Sequence, residues 1–132
     1  MIATYGPTSP PKRSPIPVPH TSAGRHLVSQ RYTVGWSEHG VVKIGCTWST
    51  RRVQRFSRSR GAELIDLAYY PNIYDDVRGE VWLQQAVGAI WPAAFRYKDD
   101  ARPLMGSNTD GWTEFYAIPV ADWPELRRLA AI

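Results

Sequence analysis

From Leu27 onward the chain sets short apolar runs between polar punctuation, and those runs define the expected elements. Arg31 to Ser37 is rich in Tyr, Val and Trp and reads as a strand. Glu38-His39-Gly40 is a short turn and Val41 to Cys46 a second strand, so the two form a hairpin. Ser49 or Thr50 caps a helix running to about Arg60, which Gly61 ends. Ala62 to Tyr70 reads as a third strand, closed by Pro71-Asn72. A second helix is expected from about Tyr74 to Ile90 or Trp91, with Asp75 and Asp76 in its first turn, where the helix dipole favours acids, and Pro92 as its stop. Residues 96 to 111 are polar and turn-rich and read as a loop. Trp112 to Ile118 is expected as a last short strand and Trp123 to Ala131 as a terminal helix with Pro124 in its first turn. The order β-β-α-β-α-β-α describes a small α/β (α+β) sandwich, a short and mostly antiparallel sheet flanked by helices.

Ahead of this lies a segment of different character. Residues 1 to 20 hold six of the eleven prolines, a spacing that favours extended, polyproline-like chain and forbids a helix. With Lys12, Arg13, Arg25 and His26, residues 1–27 read as a mildly basic arm, a leader or a strap along a polyanion, and residues 28–132 as one folded domain.

Composition narrows the chemistry. The 132 residues carry 16 basic and 12 acidic side chains, a net charge of +4 and a pI near 9.5, which suits a polyanion partner without requiring one. One cysteine, Cys46, excludes an internal disulfide and a multi-cysteine zinc site. No apolar run approaches the roughly 20 residues that span a bilayer. The expectation is a soluble, cytoplasmic protein with no membrane partner.

Three features point further. The first helix carries Arg51, Arg52, Arg55, Arg58 and Arg60 in ten positions, and no acid stands between Glu38 and Glu63. A single-sign cluster repels itself and is best tolerated beside an anion, and guanidinium pairs with phosphate oxygens bidentately. On the second helix Ile73, Val77, Leu83, Val87, Ile90 and Trp91 gather on one side at 100° per residue, with Glu80 near the middle of the stripe. A carboxylate there needs a salt bridge to an arginine, a metal or a strong hydrogen-bond network. Lys43 shares strand parity with Val41 and Gly45, opposite Val42 and Ile44; strand alternation alone leaves it either buried or on the surface, and Tyr32 is equally open.

Taken in order, these residues resemble the GIY-YIG nuclease superfamily. Tyr32 stands eleven residues before Lys43-Ile44-Gly45; Thr47 follows, then an arginine early in the next helix and a glutamate on the helix after it. The likeness is closest to a phage-type branch with K-I-G in place of Y-I-G and a closing G-x-x-E-[FW]-[FY] strand, here Gly111-Trp112-Thr113-Glu114-Phe115-Tyr116. It spans residues 30 to about 118. Gln30-Arg31 stand where the family writes Gly-Ile, and the helix arginine comes one residue early, which leaves Arg51 or Arg55 as alternatives to Arg52.

The resemblance implies metal-assisted phosphodiester cleavage. Tyr32 would sit beside the attacking water and help take its proton. Lys43 would favour the deprotonated form of Tyr32 or of the water. Arg52 would neutralise the scissile phosphate as it becomes pentacovalent, and Glu80 would hold one Mg²⁺ or Mn²⁺ ion. Arg51, Arg55, Arg58, Thr47 and Asn108 are the expected substrate-binding residues, and Glu114 reads as a structural residue of the last strand. The expected activity is that of a small endonuclease on DNA, with RNA as the other substrate class, phage-encoded or otherwise mobile. Because no separate DNA-reading module is visible, recognition would come from loops, the arm, a homodimer or a targeting partner. The competing expectations are a catalytically silent module binding nucleic acid or protein through the same cleft, and a contact surface built from Trp36, Trp48, Trp112 and Trp123.

Overall fold

The computed structural model describes residues 9–132. In chain order the elements are β1 (Pro19–Ser22), β2 (Arg25–Val28), β3 (Gln30–Trp36), β4 (Val41–Thr47), α1 (Thr50–Ser59), β5 (Glu63–Tyr69), α2 (Ile73–Gly88), α3 (Arg102–Met105), β6 (Phe115–Ala117) and α4 (Trp123–Ala130), with single 3₁₀ turns at Lys98–Ala101, Trp112–Glu114 and Val120–Asp122. The main sheet has the order β5-β3-β4-β6, and every pairing in it is antiparallel. The mixed α+β architecture expected from the sequence is what the chain adopts.

Both faces of the sheet are covered. On one side Tyr32, Val34, Trp36 and Val41 pack with Val53 and Phe56 of α1, and with Leu104 and Phe115. On the other, Val42 and Ile44 pack with Leu83 and Val87 of α2 and with Trp123, Leu126 and Ala130 of α4. All seven residues of the central strand β3 are therefore buried, as expected where helices and loops cover both faces.

Several expectations need correction. The expected apolar stripe on α2 is buried at Leu83 and Val87, and at Trp91 just beyond the helix, but Val77 and Ile90 are exposed. The inward face is Asp76, Gly79, Leu83 and Val87. Gly79 lets the Tyr70 ring press directly onto the helix backbone on this face. The last strand is only three residues, since Trp112–Glu114 coils into a 3₁₀ turn after Gly111, whose φ is +87°. The stretch read as loop contains α3, whose four residues are too few for helical periodicity to appear and which begins with Pro103 in its first turn.

Within the arm, residues 1–8 lie outside the described residues. Beyond them the described part of the arm forms no helix, and its extended chain is paired. β1 and β2 form a hairpin closed by Ala23 and Gly24, both at positive φ (52° and 74°), the pattern of a primed two-residue turn. Ser14 N–H donates to the Tyr69 carbonyl at 2.8 Å, and Arg13 Nη2 donates to the Ala131 carbonyl at 2.8 Å. Proline suits such an edge, where few amides are needed. Among the described residues no helix is long and apolar enough to cross a membrane.

Candidate active site at the open edge of β4

Lys43 is fully buried on the α1 side of the sheet, at 0 % exposure. Its ammonium donates to Tyr32 Oη at 3.0 Å and to Glu114 Oε2 at 2.6 Å. Register brings the first pair together: Tyr32 lies opposite Gly45, two residues along from Lys43 on the same face. Glycine is required there, because a Cβ at position 45 would stand 2.5 Å from Tyr32 Oη and 3.0 Å from Lys43 Nζ. The Phe56 ring stacks on Tyr32 with centroids 5.8 Å apart, and Lys43 Nζ lies 5.1 Å and 5.8 Å from the Tyr32 and Phe56 ring centroids. Burial opposes the charge on Lys43, but Tyr32 and Glu114 together outweigh it and raise its pKa, so the lysine stays protonated.

β6 pairs with β4 only over Val41–Lys43, which leaves Gly45–Thr47 as an open edge. α2 passes this edge, and Glu80 reaches it. The amide and thiol of Cys46 favour the Glu80 carboxylate, as does Lys43, yet its pKa is raised, first by burial and then by the neighbouring carboxylate of Glu114. The Cys46 thiol is pushed up by burial and by Glu80, so it is no nucleophile at neutral pH. One turn before Glu80, Asp76 is buried with neither oxygen completing a hydrogen bond. Burial and Glu80 push its pKa to about 7, although the Gln30 amide and Arg31 stand close enough to favour its charge. Arg31 itself is committed to Tyr70, Asp66 and the Ala130 carbonyl.

Phe56 separates this corner from a cleft on the outer side of α1. The cleft is lined by Arg51, Arg52, Arg55, Arg60, Ser107 and Asn108, with Phe56, Met105 and Asp110 among its walls. Ion pairs among the described residues join Arg31 to Asp66, Lys43 to Glu114, Arg78 to Asp75 and Arg102 to Asp99. None involves the α1 arginines. The loop carrying Ser107, Asn108 and Asp110 continues through Gly111 to Glu114, so one segment borders both the cleft and the Lys43 corner.

Tyr32 and Lys43 thus meet; Glu80 contacts Cys46 at the β4 edge and feels the charge of Lys43 without touching it, and Arg52 lies across Phe56 in the cleft. Arg51, Arg55 and Asn108 share the cleft; Arg58 does not line it. Thr47 is a turn residue: its Oγ1 accepts from the Ser49 amide at 3.1 Å at the β4–α1 junction. The sequence reading missed Phe56 as the shared wall, Asp76 as a buried acid and Glu114 as the partner of Lys43. Asp76 had a signal in its i, i+4 spacing from Glu80. Glu114 had none beyond the G-x-x-E spacing.

The donor set bears on a metal. Among the described residues no group of three or more His, Cys, Asp or Glu side chains could hold an ion. Glu114 pairs with the Lys43 ammonium, Glu80 feels the charge of both, and the two carboxylates are hard oxygen donors. Such a pair fits Mg²⁺ or Mn²⁺, where Mg²⁺ keeps several waters and takes one or two carboxylates, and does not fit zinc.

Comparison of the chain with protein-family models, with curated proteins and with solved structures finds no match.

Proposed function

We propose that the protein is a GIY-YIG-like endonuclease that hydrolyses phosphodiester bonds in DNA with a divalent metal ion. The observation that carries this reading is the Lys43 ammonium held between Tyr32 and Glu114, near enough for its charge to reach Glu80, and one ring away from a cleft whose arginines form no ion pair among the described residues.

The arginines take the phosphates: Arg52, Arg51 and Arg55 offer bidentate donors to the chain and to charge growing on the scissile group. Tyr32 would orient the attacking water by hydrogen bonding, the water's proton leaves to bulk solvent as the oxygen attacks, and the fixed charge of Lys43 favours the anionic oxygen that forms. The water oxygen bonds to phosphorus, the bond to the leaving oxygen breaks, and that oxygen takes up a proton. Glu80, with Glu114 behind it, would hold Mg²⁺ or Mn²⁺, which when bound polarises the phosphate and stabilises the leaving oxygen. One site makes one nick, so double-strand cleavage calls for two copies or two binding events, and a homodimer or a targeting partner would supply recognition. A cytoplasmic setting agrees with the unpaired thiol of Cys46.

A second reading has its own support. Tyr32 is 1 % exposed and Lys43 is fully enclosed, which suits a catalytically silent module that binds nucleic acid or protein through the arginine cleft. Nicking of supercoiled plasmid separates the two. Wild-type protein in Mg²⁺ is expected to nick, and both Glu80→Ala and EDTA to abolish it. A folded sample that shifts DNA on a gel but never nicks in Mg²⁺ or Mn²⁺ establishes the silent module. Nicking that survives Glu80→Ala refutes the assignment of the metal site.

A further inference from the structure

We infer that the protein stacks an unpaired base on Trp48, at the end of the arginine cleft, and so prefers a substrate with a single-stranded segment. This rests on the nucleic-acid reading of the cleft and not on cleavage. Of the tryptophans offered as a contact surface, Trp36 and Trp123 are buried core residues, whereas Trp48 is 46 % exposed. It sits in the turn between β4 and α1, and its carbonyl accepts from the Val28 amide at 3.1 Å, which fastens the β1–β2 hairpin beside it. Between hairpin and helix runs a groove walled by Arg25, His26 and Leu27 on one side and by Trp48, Thr50 and Arg51 on the other.

Ser49 and Arg51 line both this groove and the arginine cleft, so the two form one track. The flanking cations matter. Neither Arg25 nor Arg51 has a carboxylate partner among the described residues, and an indole between such cations is the combination that holds a nucleic acid strand: guanidinium for phosphate, aromatic face for base. An apolar protein segment would leave those guanidiniums uncompensated. A duplex cannot use the indole, because its base faces are already stacked. Only an unpaired, frayed or branched position presents a free face.

The test is binding without cleavage. Fluorescence anisotropy in EDTA compares a labelled single-stranded DNA oligonucleotide with the same sequence as a blunt duplex, on wild type, Trp48→Ala and Trp48→Phe. Trp48→Ala is expected to weaken the single strand about tenfold, from the loss of one stacked base, and to change the duplex less than about twofold. Trp48→Phe is expected to keep most of the affinity. Equal thermal unfolding temperatures show that the variants are folded, and the half-exposed position makes that the expected result. Equal losses on both substrates, no loss on either, or no binding of either by wild type overturns the inference. Trp48-dependent binding without nicking retires the nuclease reading and leaves this inference standing; nicking with an indifferent Trp48 does the reverse.

Discussion

Replacing Glu114 with alanine tests whether the Lys43 corner is held together by charge. The Lys43 ammonium is fully buried and has two polar partners, Tyr32 Oη at 3.0 Å and Glu114 Oε2 at 2.6 Å. Removing the carboxylate leaves a buried cation with one neutral acceptor. Breaking a buried pair from one side costs about 3–5 kcal/mol. The Glu114 side chain keeps 30 % of its exposure, so water screens part of that interaction, and about 2–3 kcal/mol is the appropriate range. For a domain of this size that corresponds to a fall of about 6–12 °C in Tm. Glu114→Gln keeps an oxygen acceptor and is expected to lose about half as much. The sign of the pH dependence follows from the raised pKa of Lys43. Its contribution is complete below the ordinary lysine value of 10.5 and is lost as pH rises through the higher folded-state value. The Tm gap between wild type and Glu114→Ala, followed by circular dichroism, should therefore be constant from pH 7 to 9 and narrow above pH 10.5. A fall of less than about 2 °C, or a gap that persists unchanged at the highest pH, refutes the charge argument.

Asp76 gives the opposite dependence. Its pKa stands at about 7 against an ordinary 3.8, so wild-type stability falls as pH rises between those values, by up to about 4 kcal/mol. Asp76→Asn should remove most of that slope and raise Tm at pH 8, with a residue left by Glu80, whose pKa is also raised; a variant less stable than wild type at pH 8 contradicts this. For the cleft, Arg55→Ala should weaken DNA binding and reduce the slope of log K against log salt by about 0.9, one phosphate contact, while Arg58→Ala, outside the cleft, changes it less. Equal slopes for the two variants would remove the cleft as the phosphate track.

Elements long enough to show a period were legible in the sequence: β3, β4, α1, β5, α2 and α4 begin and end within a residue or two of expectation. What failed depended on tertiary covering. Alternation places Lys43 opposite Val42 and Ile44 but cannot say that both faces are roofed, so the burial of Lys43 was invisible until α1 and the 105–114 loop were seen above it. α2 was misread for a related reason. Val77 and Ile90 are apolar and exposed, and Asp76 is charged and buried, on a helix whose inward face packs Gly79 against Tyr70. Composition hid the β1–β2 hairpin, since prolines precede it and its turn is Ala-Gly rather than Asn-Gly. The approach of Glu114 to Lys43 spans 71 residues, beyond any local signal.

The charge layout argues against a purely structural role for the corner. Lys43 and Glu114 answer one another, and a fold needing only that pair would gain nothing from Glu80. Glu80 instead adds a like charge beside Glu114 at the one strand edge that β6 leaves open, and both burial and that neighbour hold its pKa up. Across the Phe56 ring lies the reverse excess, several α1 arginines in no ion pair among the described residues and Asp110 as the acid on the cleft wall. Like charges gather on each side, and the Phe56 ring lies between the two groups. Under the proposed function, a phosphodiester accompanied by a hard cation would relieve both, the anion on the arginine side and the cation on the carboxylate side. Perturbed carboxylates facing a cluster of arginines across one ring are the arrangement that the proposed nuclease function would account for.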